Sequence, residues 1–307
     1  MTSETSEPNK PTSSHQPSRQ PQPARSIFAV PAPIKQLFDR FPLVTYPAND
    51  LPLRAPANRD SNVLYVFATE KDAAAGAPSY NPACLKWQTY LKFSNVAFRL
   101  ASSNNHASPS GALPFLLPSS VESSKQIQRV PSGKLQRWSM NNSPAAIEEP
   151  SDLRYEAYLS LLDHRIRRAW LYTVYISSNS TSIAEPLYIL PTSNNSFVRL
   201  RISHELRDAA EKELLKFSAV INVEELYKQA EEAFTSLEMA LGSDEWFFGA
   251  SRPGLFDASV FAYTHLLLDE RLGKGWLDTR LRDVLLQRKS LVNHRNRILT
   301  AYYPKPA

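Results

Sequence analysis

The sequence predicts two unlike halves, a small α/β domain followed by an all-helical one, behind a proline-rich arm. Three observations predict this. The apolar run Val63-Leu64-Tyr65-Val66-Phe67 precedes Asn81-Pro82-Ala83-Cys84-Leu85-Lys86-Trp87, a buried strand leading through a loop into a helix whose first turn suits proline. Leu113-Pro114-Phe115-Leu116-Leu117 sets a proline inside a second strand-like run. Past residue 150, Leu159, Leu162, Ile166, Trp170 and Val174 recur three or four residues apart, the stripe of an amphipathic helix.

Composition narrows the function classes. A chain of 307 residues has room for roughly two domains. Cys84 is its only cysteine, which excludes a disulfide framework and a cysteine zinc site and fits a reducing compartment. The six histidines show no metal-ligand spacing, so His164 and His265 read as packed or capping, and neither metal nor cofactor is expected. No window approaches the roughly 18–20 uninterrupted apolar residues of a membrane span. The most apolar stretch, Leu255 to Leu268, is short and holds Asp257 and His265. The N-terminus has no apolar signal core, and Glu4 and Glu7 argue against an acidic-poor presequence. The expectation is a soluble or peripheral protein facing the cytosol.

The net charge of +5 is uneven: from Arg271 onward nine Lys or Arg face only Asp278 and Asp283. That region can meet anionic headgroups or an acidic partner, or be a solvated helix face. Nucleic acid is not expected, because no stacking aromatics are interleaved with the charges.

The elements follow in order. Residues 1–26 are rich in Pro, Ser, Thr and Gln and read as disordered. Residues 27–59 add Phe38, Phe41 and other apolar side chains and read as an extended arm. The first domain, 60–146, holds strands at 63–68, 96–100 and 113–117, the helix after Pro82, a polar loop at 101–111 and a fourth strand-like stretch at 128–138. The second, 150–303, opens on the striped helix and then breaks at 177–196, where Pro186 and Pro191 flank Leu187-Tyr188-Ile189-Leu190. That break reads as an inserted loop. Helix resumes at 197–217. Asn222 with Glu225 then forms a capping-box pattern before the stripe Leu226, Ala230, Phe234, Leu237 and Leu241. Last comes Trp246-Phe247-Phe248-Gly249, then Pro253-Gly254-Leu255-Phe256-Asp257. Gly254 reads as an N-cap and Asp257 as the carboxylate that staples the helix start, a catalytic carboxylate being the alternative role.

A strand, a Pro-Cys loop and a helix, followed by proline in the third strand, resemble a thioredoxin-like domain, in which Pro114 would be cis. The Gly249, Gly254 and Asp257 turn resembles that of glutathione-transferase-like helical domains. Together, Asn81 to Phe93, Ser108 to Leu116 and Gly249 to Phe261 resemble the metaxin family, in particular its fungal, anchor-less branch. The resemblance spans about residues 60–303 and implies a thioredoxin-like domain plus an all-α glutathione-transferase-like domain. It implies a peripheral protein on the cytosolic face of the mitochondrial outer membrane, touching the membrane surface without spanning it. Its implied partners are an outer-membrane β-barrel assembly subunit, a second metaxin-like subunit and β-barrel precursors, which it would help to receive and insert.

Catalysis is not expected. Where a redox motif has its first cysteine, this chain has Asn81, so Asn81, Pro82 and Cys84 keep the shape of the motif without its nucleophile. The alternative is a soluble glutathione-dependent transferase, with Tyr80 near the thiol and Glu122-Ser123 as the peptide-holding pair. Candidate contacts for a precursor or partner are His106, Ser108, Gly111 and Pro114 beside the motif, Leu187 and Tyr188 in the insertion, and Phe38 and Phe41 in the arm. A strand-like signal could pair beside Pro114, main chain to main chain.

Overall fold

The computed structural model describes residues 61–119, 129–149, 153–273 and 275–304. The tail 1–26, the arm with Phe38 and Phe41, and Glu122-Ser123 lie outside these residues.

The first half is built on a four-stranded sheet of order β2-β1-β3-β4, from β1 (Asn62–Val66), β2 (Phe98–Ser102), β3 (Phe115–Leu117) and β4 (Val130–Pro131). β1 runs parallel to β2 and antiparallel to β3. A short helix α1 (Glu70–Ala74), capped by Thr69 Oγ1 accepting the Asp72 N–H, separates β1 from helix α2 (Pro82–Phe93). Helix α3 (Ser132–Asn142) follows β4. Cys84 and Leu91 of α2 join Leu64, Val66, Leu100 and Leu116 of the sheet in one core. Leu85, Tyr90 and Phe93 of the same helix enter the core of the helical half. α2 therefore serves both halves.

That helical half consists of α4 (Leu153–Leu161), a wide π turn (Leu162–Ile166), α5 (Arg167–Tyr175), a π segment (Ser180–Ile189), α6 (Ser196–Leu215), α7 (Val223–Leu241), α8 (Leu255–Leu268), α9 (Glu270–Gly273), α10 (Arg280–Leu286) and α11 (Lys289–Tyr302). α8 is its centre. It is apolar on every side, with Val260, Phe261, Leu266 and Leu267 all within 1% of full burial. A helix so clothed must be surrounded by others.

Three expected elements take a different form in the structure. The striped helix is interrupted at Leu162–Ile166 by the π turn, although Leu162, Ile166, Trp170 and Val174 are buried as the stripe requires. The stretch 128–138 is strand only at Val130–Pro131. It then turns helical, because Pro131 ends the ladder and Leu135 and Ser139, four apart, share a buried face. The insertion at 177–196 is not a loop. Ile183-Ala184 and Tyr188-Ile189 are buried pairs five residues apart, a repeat that fits the π segment better than the 3.6-residue α-helical period. Leu190 N–H closes on the Glu185 carbonyl at 2.9 Å.

Asn179 anchors this segment, its Oδ1 accepting the Leu277 and Asp278 N–H groups at 2.8 and 2.9 Å. Gly275 presses on it as well. A Cβ there would stand 2.9 Å from the Ser182 carbonyl and 3.0 Å from Ile183 Cγ1. Gly275→Ala is therefore expected to destabilise the protein by about 1–3 kcal/mol through overpacking against fixed backbone. Thermal melting checks it, with Gly133→Ala as the control because a Cβ at Gly133 meets nothing.

Candidate functional site

The site to test is the N-terminus of α2, where a thioredoxin-like domain presents its reactive group. Asn81 is the N-cap, with Oδ1 accepting the Cys84 N–H at 3.2 Å, and Pro82 occupies the first turn. Cys84 is fully buried, and burial pushes its thiol up to about 12. It is inert packing, since thiolate chemistry needs the opposite shift and exposure. The loop before Asn81 is held rigidly. Ser79 Oγ donates to the Phe67 carbonyl at 2.6 Å, and buried Gln88 bridges the Ala77 carbonyl and the Ser79 N–H.

The space in front of Asn81 is filled by the chain itself. Asn81 Nδ2 donates to Tyr188 Oη at 3.2 Å, and Tyr80 Oη donates to the Leu187 carbonyl at 3.1 Å. The Tyr188 ring stands edge-on to Phe67 and Tyr80, with centroids 5.3 and 5.2 Å away. Burial holds the phenols of Tyr80 and Tyr188 far above their ordinary value. Tyr80 is thus a neutral donor already spent on a backbone carbonyl, not a free thiolate stabiliser.

The second half of the site is closed too. The Leu113–Pro114 peptide bond is cis, as the motif predicts. The Leu113 N–H beside it donates to Asn105 Oδ1 at 3.0 Å, from a 3₁₀ turn at Asn105–Ala107. β3 is paired on both sides, by β1 and by β4. Both ladders begin at Phe115, so beside them the Leu113 N–H is taken by Asn105 and Pro114, which is buried, has no N–H to offer an added strand.

The candidate contact residues are scattered in exposure. His106 and Gly111 are exposed, and Gly111 takes a positive φ of 74° that glycine tolerates. Ser108 is buried, its Oγ donating to the Ala112 carbonyl at 2.6 Å. Leu187 is half-buried and Tyr188 is buried. Tyr188 thus corrects its sequence assignment, because its ring packs on Phe67, Tyr80 and Tyr175 instead of facing a partner.

The start of α8 carries the other motif. Asp257 Oδ2 accepts the Gly254 N–H at 2.9 Å, as the capping pattern requires. Its Oδ1 also accepts the Phe247 N–H at 3.1 Å and lies 2.9 Å from Nε2 of fully buried His294. Gly254 has no side-chain acceptor for the free N–H groups of the first turn, and Glu149 supplies one from afar, its Oε1 accepting the Leu255 N–H at 2.7 Å. A Cβ at Gly254 would stand 2.9 Å from Glu149 Oε2, so the glycine leaves room for that carboxylate. Burial pushes the Glu149 carboxyl above its ordinary range, against the pull of the Leu255 N–H. Gly249 reaches this turn with a φ of 65°. All of this is structural staple, with every acceptor of Asp257 spent on the fold.

Sequence reasoning missed Asn105, Glu149 and His294. Asn104-Asn105 in a polar loop was a weak signal for an in-chain cap. Glu149 and His294 gave none. The basic C-terminal region also resolves. Arg271, Arg280, Arg288 and Arg297 pair with Asp269, Asp278, Glu231 and Glu245, which leaves less free positive charge than the letters imply.

Among the described residues no cluster of His, Cys, Asp or Glu could hold a metal ion, and no helix is long and apolar enough to cross a membrane.

Comparison with known proteins adds the following. Residues 82–181 match the family described as glutathione S-transferase N-terminal domain, and residues 230–298 match glutathione S-transferase, C-terminal domain. Residues 28–83 match SAM35, subunit of SAM complex. The chain is 28% identical to metaxin-1 of Macaca fascicularis, over 75% of this chain and 72% of that one. It is 27% identical to metaxin-3 of Xenopus laevis, over 74% of each. Among solved structures, glutathione transferase F7 from Populus trichocarpa aligns with a TM-score of 0.42 at 13% identity, over 78% of this chain and 93% of that one.

Proposed function

Since the chain is a metaxin-family protein of glutathione-transferase-like build, we propose that it is a non-catalytic subunit of the sorting and assembly machinery of the mitochondrial outer membrane. It sits peripherally on the cytosolic face, beside a membrane-embedded β-barrel subunit and a second metaxin-like subunit. There it receives β-barrel precursors through a strand signal and aids their insertion.

The observation that carries the non-catalytic part is the filling of the α2 site by the protein's own Tyr188 and Asn105. A transferase needs that space for its thiol substrate. The match of residues 28–83 to a family of assembly-complex subunits supports the rest. A surface feature agrees with it. Helix α6 buries only Ala210 and Leu214 and leaves Phe197 at 84% and Leu200 at 69% exposure. Three residues apart, Phe197 and Leu200 are neighbours on one helix face, and contiguous exposed apolar surface marks contact sites where single exposed side chains do not. They are the surface we assign to the barrel subunit or the adjoining membrane.

Affinity purification of the tagged protein from its native cells in gentle detergent tests the proposal. Stoichiometric recovery with an outer-membrane β-barrel protein and a second metaxin-like chain is expected. Phe197→Asp/Leu200→Asp should reduce that recovery without lowering the melting temperature. Recovery of the wild-type protein alone, or as a soluble homodimer that turns over glutathione, would contradict it.

A further inference from the structure

A groove of about 450 Å³ runs beside the sheet, between α1, α2 and the start of β2. Its wall on one side is small, formed by Ala74, Ala75 and Gly76. Opposite lie Lys92 and the strand residues Phe98 and Arg99. Among the described residues β2 is an edge strand, paired with β1 alone, so one side of its five-residue backbone carries no ladder from them. Such an edge is roughly 17 Å long and is a ready template for another extended chain.

The groove also carries positive charge, from half-buried Lys92 and exposed Arg99. Among the described residues neither Lys92 nor Arg99 forms an ion pair. Lys92 is half-buried, its ammonium 4.7 Å from the centroid of the Tyr303 ring, and burial lowers its pKa. A partly desolvated cation with no carboxylate is a costly arrangement that an anionic ligand relieves. The loop that follows the wall is held by buried Gln88, which donates to the Ala77 carbonyl and accepts the Ser79 N–H.

We propose that this groove docks an extended peptide strand bearing a carboxylate, which adds to the free edge of β2 by main-chain pairing and sets its carboxylate between Lys92 and Arg99. The inference rests on the reading of the protein as a receiver of strand signals and places the receiving surface at β2, away from Pro114. Charge argues for this occupant over a second copy of the chain, since β2 against β2 would bring Lys92 and Arg99 towards their own equivalents.

The test titrates the purified full-length protein with a dye-labelled ten-residue peptide of alternating apolar residues with Asp near its C-terminus, read by fluorescence anisotropy. Saturable binding is expected. The Lys92→Gln/Arg99→Gln variant should bind at least about tenfold more weakly, in line with loss of a partly desolvated charge pair. Ala74→Trp should abolish binding by filling the groove, as should N-methylation of alternate peptide amides. Melting temperatures of Ala74→Trp and of Arg99→Gln alone should match wild type, because both positions are exposed, and Arg99→Gln alone should already weaken binding. Equal affinity in both variants overturns the inference, as does absence of binding by a wild-type protein that still co-purifies with a barrel subunit. A homodimer broken by Ala74→Trp overturns it in favour of a second copy. Failure of co-purification itself would instead sink the function on which the inference rests.

Discussion

Replacing Asp257 with Ala is expected to lower the melting temperature by roughly 10 °C. The carboxylate is 2% exposed as a residue and accepts from the Gly254 and Phe247 N–H groups while bonding His294. Truncation leaves two buried backbone donors and a buried imidazole without that partner. Each orphaned polar group costs about 1–3 kcal/mol, so a total near 4 kcal/mol is reasonable. In a domain of this size about 2–4 °C is lost per kcal/mol. Asp257→Asn should fall between, since its amide keeps one acceptor and turns the other into a donor. Differential scanning fluorimetry of both variants checks the order. A catalytic role for Asp257 would predict the reverse pattern, with stability nearly kept and a reaction lost.

Tyr188→Ala is the second large effect. It removes a buried ring that touches Phe67, Tyr80 and Tyr175 and frees Asn81 Nδ2 from its acceptor. Aromatic-to-alanine changes in cores cost about 3–5 kcal/mol, because the surroundings relax only partly into the cavity. Tyr188→Phe isolates the hydroxyl. It keeps the packing and loses the bonds to Asn81 Nδ2 and the Tyr80 carbonyl, for an expected cost of about 1 kcal/mol. If Phe proved as damaging as Ala, hydrogen bonding and not filling would hold the insertion in place. Guanidinium unfolding of the three proteins separates the two.

Much of this site was legible, for local reasons. Asn81, Pro82 and the apolar face after them are a cap, a first-turn proline and a helix stripe within a dozen residues. Pro114 and the Gly254 to Asp257 turn are equally local. Thr69 with Asp72 carries a capping signal for α1 that was open to reading and went unread. What stayed hidden depends on distance along the chain. Glu149 caps Leu255 across 106 residues, and Tyr188 reaches Asn81 across 107. No pattern in a window of sequence encodes such meetings. The π segment was lost for a different reason. Its buried residues repeat every five positions, so an α-helical template scores them as noise, and Pro186 within the segment and Pro191 just after it complete the impression of a loop.

The consequence for function is specific. The sequence showed that the redox nucleophile is missing at Asn81 and left a glutathione site built on Tyr80 open. The structure shows Tyr80 Oη bonded to the Leu187 carbonyl and the Leu113 N–H bonded to Asn105. A tripeptide thiol would have to displace both side-chain contacts and the Tyr188 ring before it could bind.

Isothermal titration of the full-length protein with glutathione tests this most directly. No saturable heat up to about 10 mM is predicted for the wild-type chain, a range that corresponds to binding weaker than roughly −3 kcal/mol. Saturable micromolar binding by the wild-type chain would contradict the account. It would mean that the Tyr188 segment yields to ligand and that the transferase site is open after all.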